Sequence, residues 1–233
     1  MHVPARNAPA GQHPATPYPR PVKVKICGIT NIEDAREAVR LGAWAIGLVH
    51  HEQSPRACDP AIAVEIGAEL RRRCEMVGVF VNPKLDQVEA AVADEGLSIV
   101  QLNGEEGPSF CTEVARRTGA KVIKAIHVSS AADVRGADAL HTDFHMFDTR
   151  HGYLRGGTGE TFDWDLLADR RSDVPAILAG GLRPDNVAAA VEAAHPFAVD
   201  VASGVEAEPG RKDHELLASF IEAARAAAPA PAQ

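Results

Sequence analysis

Eight times between residues 22 and 202 a short run rich in Val, Ile, Leu and Ala gives way to a segment with apolar residues at helical spacing. The runs cover 22–29, 43–49, 76–81, 98–102, 121–128, 145–148, 176–179 and 198–202, lengths that suit strands and not helices. The helical segments open on capping residues, as in Asn31-Ile32-Glu33-Asp34, and recur at 60–72, 85–95, 109–118, 163–168, 186–194 and 214–226, with a weaker one at 131–138. Strands that alternate with helices run parallel, because each helix returns the chain to the starting edge of the sheet. Eight such units predict an α/β fold, a single-domain (β/α)8 TIM barrel, whose common length is about 250 residues with a lower end near 200. An open doubly wound sheet is the alternative this pattern leaves.

The barrel is expected over 22–226. Residues 1–21 hold six prolines, two arginines and no acid, a composition that buries little surface and predicts a flexible extension. Its prolines would break the amphipathic helix of a transit peptide. The Ala/Pro-rich end, 227–233, is expected to fray. A formal net charge of −8, with no basic run longer than Arg71-Arg72-Arg73, argues against nucleic acid or an anionic membrane as partner. No window approaches the roughly 18 apolar residues of a membrane span, so the cytoplasm is the expected compartment. The four cysteines form no Cys-x-x-Cys pair, so reduced thiols are expected.

A barrel puts its chemistry where strands end and loops begin. Cys27 closes the first strand in "VKVKICGIT", with Lys25 on the same face. It reads either as a small core thiol or as a thiolate base whose pKa is lowered by nearby cations or amides. At the end of strand six, "MFDTRHGYLRGGTGETFDW" delivers Asp148 into a Gly-rich loop spanning 152–159. That loop is long for a strand-to-helix connection, as lids and binding loops are. Asp148 is too far upstream of the next helix to cap it, whereas Asp163 suits that cap and Trp164 suits packing. Gly180-Gly181 after strand seven and Ser203-Gly204 after strand eight are each compatible with a simple turn. Together they stand where barrels of this kind hold a phosphate on backbone amides. After strand two, Arg56 in "SPR" can grip a carboxylate with two parallel hydrogen bonds. His50-His51 is a poor metal site, since adjacent strand residues point to opposite faces and no third ligand is spaced to help. His127 and His145 have no evident partner pattern, and His127 is placed at the mouth.

Four segments, "KICGIT", "SPR", "FDTR…GGTGETFDW" and "LAGGLRPDN…VDVASGVE…PGRKD", resemble in order and spacing the N-(5′-phosphoribosyl)anthranilate isomerases of tryptophan biosynthesis. The resemblance runs from Val22 to about Ala224. It implies a single barrel with no metal and no organic cofactor, working on a small phosphorylated substrate as a monomer or homodimer. It also implies Cys27 as general base, Asp148 as general acid, Arg56 on the anthranilate carboxylate, and Gly180, Gly181, Ser203 and Gly204 around the phosphate. Two departures stand beside the expected pocket: Asn103 where a histidine is common, and "HHEQ" after strand two.

An acid must protonate the ribose ring oxygen as the ring opens, and a base must then take the C2′ hydrogen. The acid therefore needs a raised pKa and the thiol a lowered one. Two alternatives stay open: a dual-specificity isomerase that also accepts the histidine-pathway aminoaldose phosphate, and a barrel that binds a phosphorylated metabolite without turning it over.

Overall fold

The computed structural model describes residues 22–149 and 163–227. The extension 1–21, the Gly-rich loop 152–159 and residues 228–233, on which expectations were stated, lie outside the described residues. Eight parallel strands close into a barrel in chain order: β1 Lys23–Cys27, β2 Ala45–Val49, β3 Glu75–Phe80, β4 Ile99–Leu102, β5 Lys121–Val128, β6 Phe144–Thr149, β7 Ala176–Leu178 and β8 Ala198–Val201. The pairing of β1 with β8, with Lys23 opposite Ala198 and Lys25 opposite Asp200, decides for the barrel over an open sheet.

The outer helices are α1 Ile32–Arg40, α2 Pro60–Leu70, α3 Leu85–Glu95, α4 Pro108–Thr118, α5 Ala131–Gly136, α6 Val187–Ala194 and α7 His214–Ala226. Their starts follow the chemistry of the sequence. The Asn31 side chain accepts from the Asp34 amide, Asp59 precedes Pro60 at the head of α2, and Asp213 accepts from two amides of α7; each satisfies donors that a helix N-terminus leaves open.

Strand alternation divides the core into two shells. Outward residues such as Ile46, Leu48, Met76 and Leu102 pack against the helices. Inward residues such as Ala45, Val77, Val79, Ile99, Ile123, Met146 and Ile177 fill the lumen, and Cys27 belongs to this inner shell. Trp44, Phe144 and Phe197 plug the lower end, Trp44 edge to face with both phenylalanines and the two phenylalanines tilted, with ring centroids 5.3–5.7 Å apart. The opposite end, where strands finish, is left for polar residues.

Two elements differ from expectation. The helix expected at 163–168 is a 3-10 helix over Trp164–Asp169, capped by Asp163, whose side chain accepts from the Asp165 amide; Trp164 packs against the outer core. After β8 the chain forms a hairpin, β9 Glu206–Glu208 and β10 Arg211–Lys212. Strands of three and two residues carry no period long enough to read in a sequence. Among the described residues no helix is long and apolar enough to cross a membrane.

Candidate active site

Cys27 ends β1 opposite Gly47 of β2. A methyl group added at Gly47 would lie 3.0 Å from the Cys27 Sγ and 3.2 Å from the Lys25 Nζ. Thiol and ammonium therefore face the same small space, which the glycine keeps open. Lys25 is completely buried and donates to Asp200 Oδ1 at 2.7 Å. Burial by itself would lower the pKa of Lys25, but Asp200, with Cys27, holds it above the ordinary lysine value.

The same balance comes out differently for the thiol. Burial pushes the Cys27 pKa above the ordinary cysteine value, and the Asp200 charge adds to that, while Lys25 and Lys212 pull against it. The thiol pKa, expected to be lowered, is raised instead: desolvation of the anion exceeds the attraction of two ammonium groups. Cys58 and Cys74, each raised chiefly by burial and further by a neighbouring carboxylate, are pushed up to about 12 and about 11, so neither is a competing nucleophile.

Beside the thiol stands a second ionic group. The Arg56 Nε and Nη2 donate to the two oxygens of Glu206 at 2.8 and 2.7 Å, with the Arg56 side chain 14% exposed. The two parallel hydrogen bonds of which Arg56 is capable are made here within the chain, to a carboxylate of β9. That pair occupies one edge of the guanidinium and leaves its other N–H donors for a ligand. Gly28, with φ +72°, lets the chain turn beneath it, and a methyl there would meet the Arg56 Cδ at 2.8 Å. Lys212 donates from Nζ to Glu206 Oε1 and to the Ala202 carbonyl, both at 3.0 Å. Its backbone N–H donates to Asp34 Oδ2 at 2.8 Å.

Asp148 is the penultimate residue of β6, opposite His127 of β5. It shares the inward face of Phe144 and Met146 and is half-buried at the mouth. β6 lies three strands round the barrel from β1, which sets the carboxyl across the mouth from the thiol. After β7, Gly180 and Gly181 both take positive φ, +87° and +64°. After β8, Ser203–Val205 forms a 3-10 turn. A methyl group on Gly204 would fall 1.9 Å from the Leu182 carbonyl oxygen, so the two loops touch through backbone at that point. All seven residues singled out from the sequence, Cys27, Arg56, Asp148, Gly180, Gly181, Ser203 and Gly204, lie at or just beyond strand carboxyl ends.

Asp200, Glu206 and Lys212 were missed. All three lie within the segments "VDVASGVE" and "PGRKD", and alternation in "AVDVASG" turns Asp200 to the lumen with Ala198. Of the two departures, Asn103 does face the mouth, where its Oδ1 accepts from Gln101 Nε2 at 2.7 Å. His50 does not: it points into the helix layer, stacked on Phe80 and 3.1 Å from Glu95. His145 is likewise structural, fully buried with Nε2 3.0 Å from the Leu140 carbonyl oxygen. Among the described residues no three His, Cys, Asp or Glu side chains are grouped to hold a metal ion.

The model of the N-(5′-phosphoribosyl)anthranilate (PRA) isomerase family matches residues 24–223. A relative with that name from Geobacter metallireducens is 45% identical over 205 residues, covering 88% of this chain and 100% of the relative. One from Acidithiobacillus ferrooxidans is 45% identical over 206 residues, covering 88% and 98%. The crystal structure of phosphoribosyl anthranilate isomerase from Thermotoga maritima superposes with a TM-score of 0.80 at 41% identity, over 88% of this chain and 99% of that one. A phosphoribosyl anthranilate isomerase solved in complex with reduced 1-(o-carboxyphenylamino)-1-deoxyribulose 5-phosphate superposes with a TM-score of 0.76 at 39% identity, with the same coverage. By sequence, fold and strand-end residues together, the chain belongs to the N-(5′-phosphoribosyl)anthranilate isomerase family.

Proposed function

We propose that this protein converts N-(5′-phosphoribosyl)anthranilate to 1-(2-carboxyphenylamino)-1-deoxyribulose 5-phosphate, the isomerisation step of tryptophan biosynthesis. The observation that carries the reading is the placement of a thiol, Cys27, and a carboxyl, Asp148, on the lumen face at strand ends across one mouth. Asp148 gives its proton to the ribose ring oxygen as the C1′–O bond breaks. The iminium left at C1′ acidifies the C2′ hydrogen, and the Cys27 thiolate removes it. The resulting enolamine gains a proton at C1′ and loses the one on the C2′ hydroxyl, which yields the ketone.

Arg56, steadied by Glu206, offers its outer N–H edge to the anthranilate carboxylate. Backbone at Gly180, Gly181, Ser203 and Gly204 receives the phosphate, which suits a helix-dipole and amide site. Clamping both ends of the substrate fixes C1′ and C2′ between acid and base, a positioning effect of several kcal/mol. A Thermotoga maritima relative is described as dimeric, and the monomer or homodimer read from the family is tested for this chain by light scattering. The activity is assigned to the cytoplasm.

The test is loss of phosphoribosylanthranilate fluorescence on addition of purified protein, run beside the amino-imidazole aminoaldose phosphate. Turnover of the first alone supports the reading; turnover of both supports dual specificity, and of neither a binding barrel.

A further inference from the structure

The ionic groups around Cys27 do not balance. Lys25 is matched by Asp200 at 2.7 Å, and Arg56 takes both oxygens of Glu206 at 2.8 and 2.7 Å. The third cation, Lys212, has only a share of Glu206 Oε1, already taken by Arg56, and the neutral carbonyl of Ala202. Its side chain is 0% exposed. Three cations face two carboxylates, so with Cys27 as a thiol one buried positive charge has no anion of its own. Such a charge is strongly unfavourable in a desolvated site. A group in that position either loses its proton or recruits an anion.

The anion at hand is the thiolate. Ile26 stands opposite Val201 in the β1–β8 ladder, so Cys27 and Ala202, the next residue on each strand, continue at the same level across strands spaced about 4.8 Å apart. Ala202 packs against the inner cluster that contains Cys27, and it is the carbonyl of Ala202 that the Lys212 ammonium touches. Asp34 holds that lysine's backbone N–H from α1.

We propose that Lys212 is the proton partner of Cys27: the thiol and the Lys212 amine exchange one proton, so that the base arises as a thiolate–ammonium pair without a proton leaving the site. Both forms, thiol with amine and thiolate with ammonium, leave the site neutral; in the second, Lys25, Lys212 and Arg56 stand against Asp200, Glu206 and the thiolate, and it is this form that carries the base. Each group also feels the other electrostatically in the sense the pair requires, with the thiol raised by burial and the lysine lowered by burial while each one's charge favours the charged form of its neighbour. A thiol that looks too weakly acidic on its own is then no obstacle, since what matters is the balance between the two forms of the pair. Lys212 is here a positioning residue that acts through Cys27. The inference rests on Cys27 being the base.

The experiment is the pH profile of Cys27 alkylation by iodoacetamide in the full-length protein, read by mass spectrometry of the Cys27 peptide, in native, K212M and K212R forms. In K212M the thiolate has lost its partner, and the alkylation midpoint is expected to rise by about one pH unit or more, a roughly tenfold loss of thiolate at neutral pH. In K212R the cation cannot surrender its proton, and the midpoint is expected to fall. Opposite movements in the two variants support the pair; a K212R midpoint that is unchanged or raised overturns it, whether or not K212M folds. Failure of the parent reading shows separately, as undiminished turnover in C27A, and does not depend on these profiles.

Discussion

Lys25 and Asp200 stand opposite each other in the β1–β8 ladder that closes the barrel, and their side chains meet at 2.7 Å with the ammonium completely buried. The contact joins residues 175 positions apart and lies directly beneath the thiol. The closure of the fold and the electrostatics of the site therefore share one ion pair.

Removing one member of a buried pair leaves the other uncompensated. Asp200→Asn is expected to cost roughly 3–5 kcal/mol at pH 7, measured by urea denaturation. Because Asp200 holds the pKa of Lys25 above 10.5, the pair's contribution is complete below the unfolded lysine value and fades only as pH rises through the higher folded value. The gap between native and variant stability is thus constant from neutral pH to about pH 10 and narrows above it. A gap that closes below pH 9 would contradict this assignment.

Asp34 works in the opposite direction. Burial would raise its pKa, but the Lys212 amide, Asn31 and His214 together hold it below the usual aspartate range. Its contribution is present above the unfolded value near 3.9 and is lost as pH falls through the lower folded value. Asp34→Asn is expected to cost about 1.5–3 kcal/mol at neutral pH, with the difference vanishing in thermal melts near pH 2. Equal destabilisation at both pH values would show that the charge is not what matters.

Arg56→Ala is expected to raise KM by tenfold or more while changing kcat less, since it removes a clamp and not a proton-transfer group. Glu206→Gln keeps the arginine but weakens the fork that orients it, and should raise KM by a smaller factor. Steady-state kinetics on phosphoribosylanthranilate reads both; a normal KM in Arg56→Ala would remove this residue from the binding site.

Gly204→Ala would press a methyl group to 1.9 Å from the Leu182 carbonyl oxygen. The two phosphate loops must separate to admit it, at about 1–3 kcal/mol. Thermal stability should fall, and inorganic phosphate should become a weaker inhibitor. Unchanged inhibition would place the phosphate elsewhere.

The strands were legible because their Val/Ile runs are short and bounded, and β5, Lys121–Val128, begins and ends where its sequence predicts. Cys27 and Asp148 were legible as candidates because each stands at the carboxyl end of such a run or within two residues of it. What escaped was everything set by contacts between distant parts of the chain. Glu206 reaches Arg56 across 150 residues, and Lys212 enters the site on a strand of two residues, too short to leave a pattern. The thiol's pKa was misjudged for a related reason: the charges near it could be anticipated from Lys25, but burial depends on the closed barrel around it.

The central claim is that Cys27 takes the C2′ proton while Asp148 opens the ring. Single-turnover isomerisation with enzyme in excess, followed by phosphoribosylanthranilate fluorescence in native, Cys27→Ala and Asp148→Asn proteins, tests it most directly. Complete conversion by the native protein, with each variant folded but slowed by about 10²–10⁴-fold, is the expected result. Near-native rates in either variant would contradict the assignment.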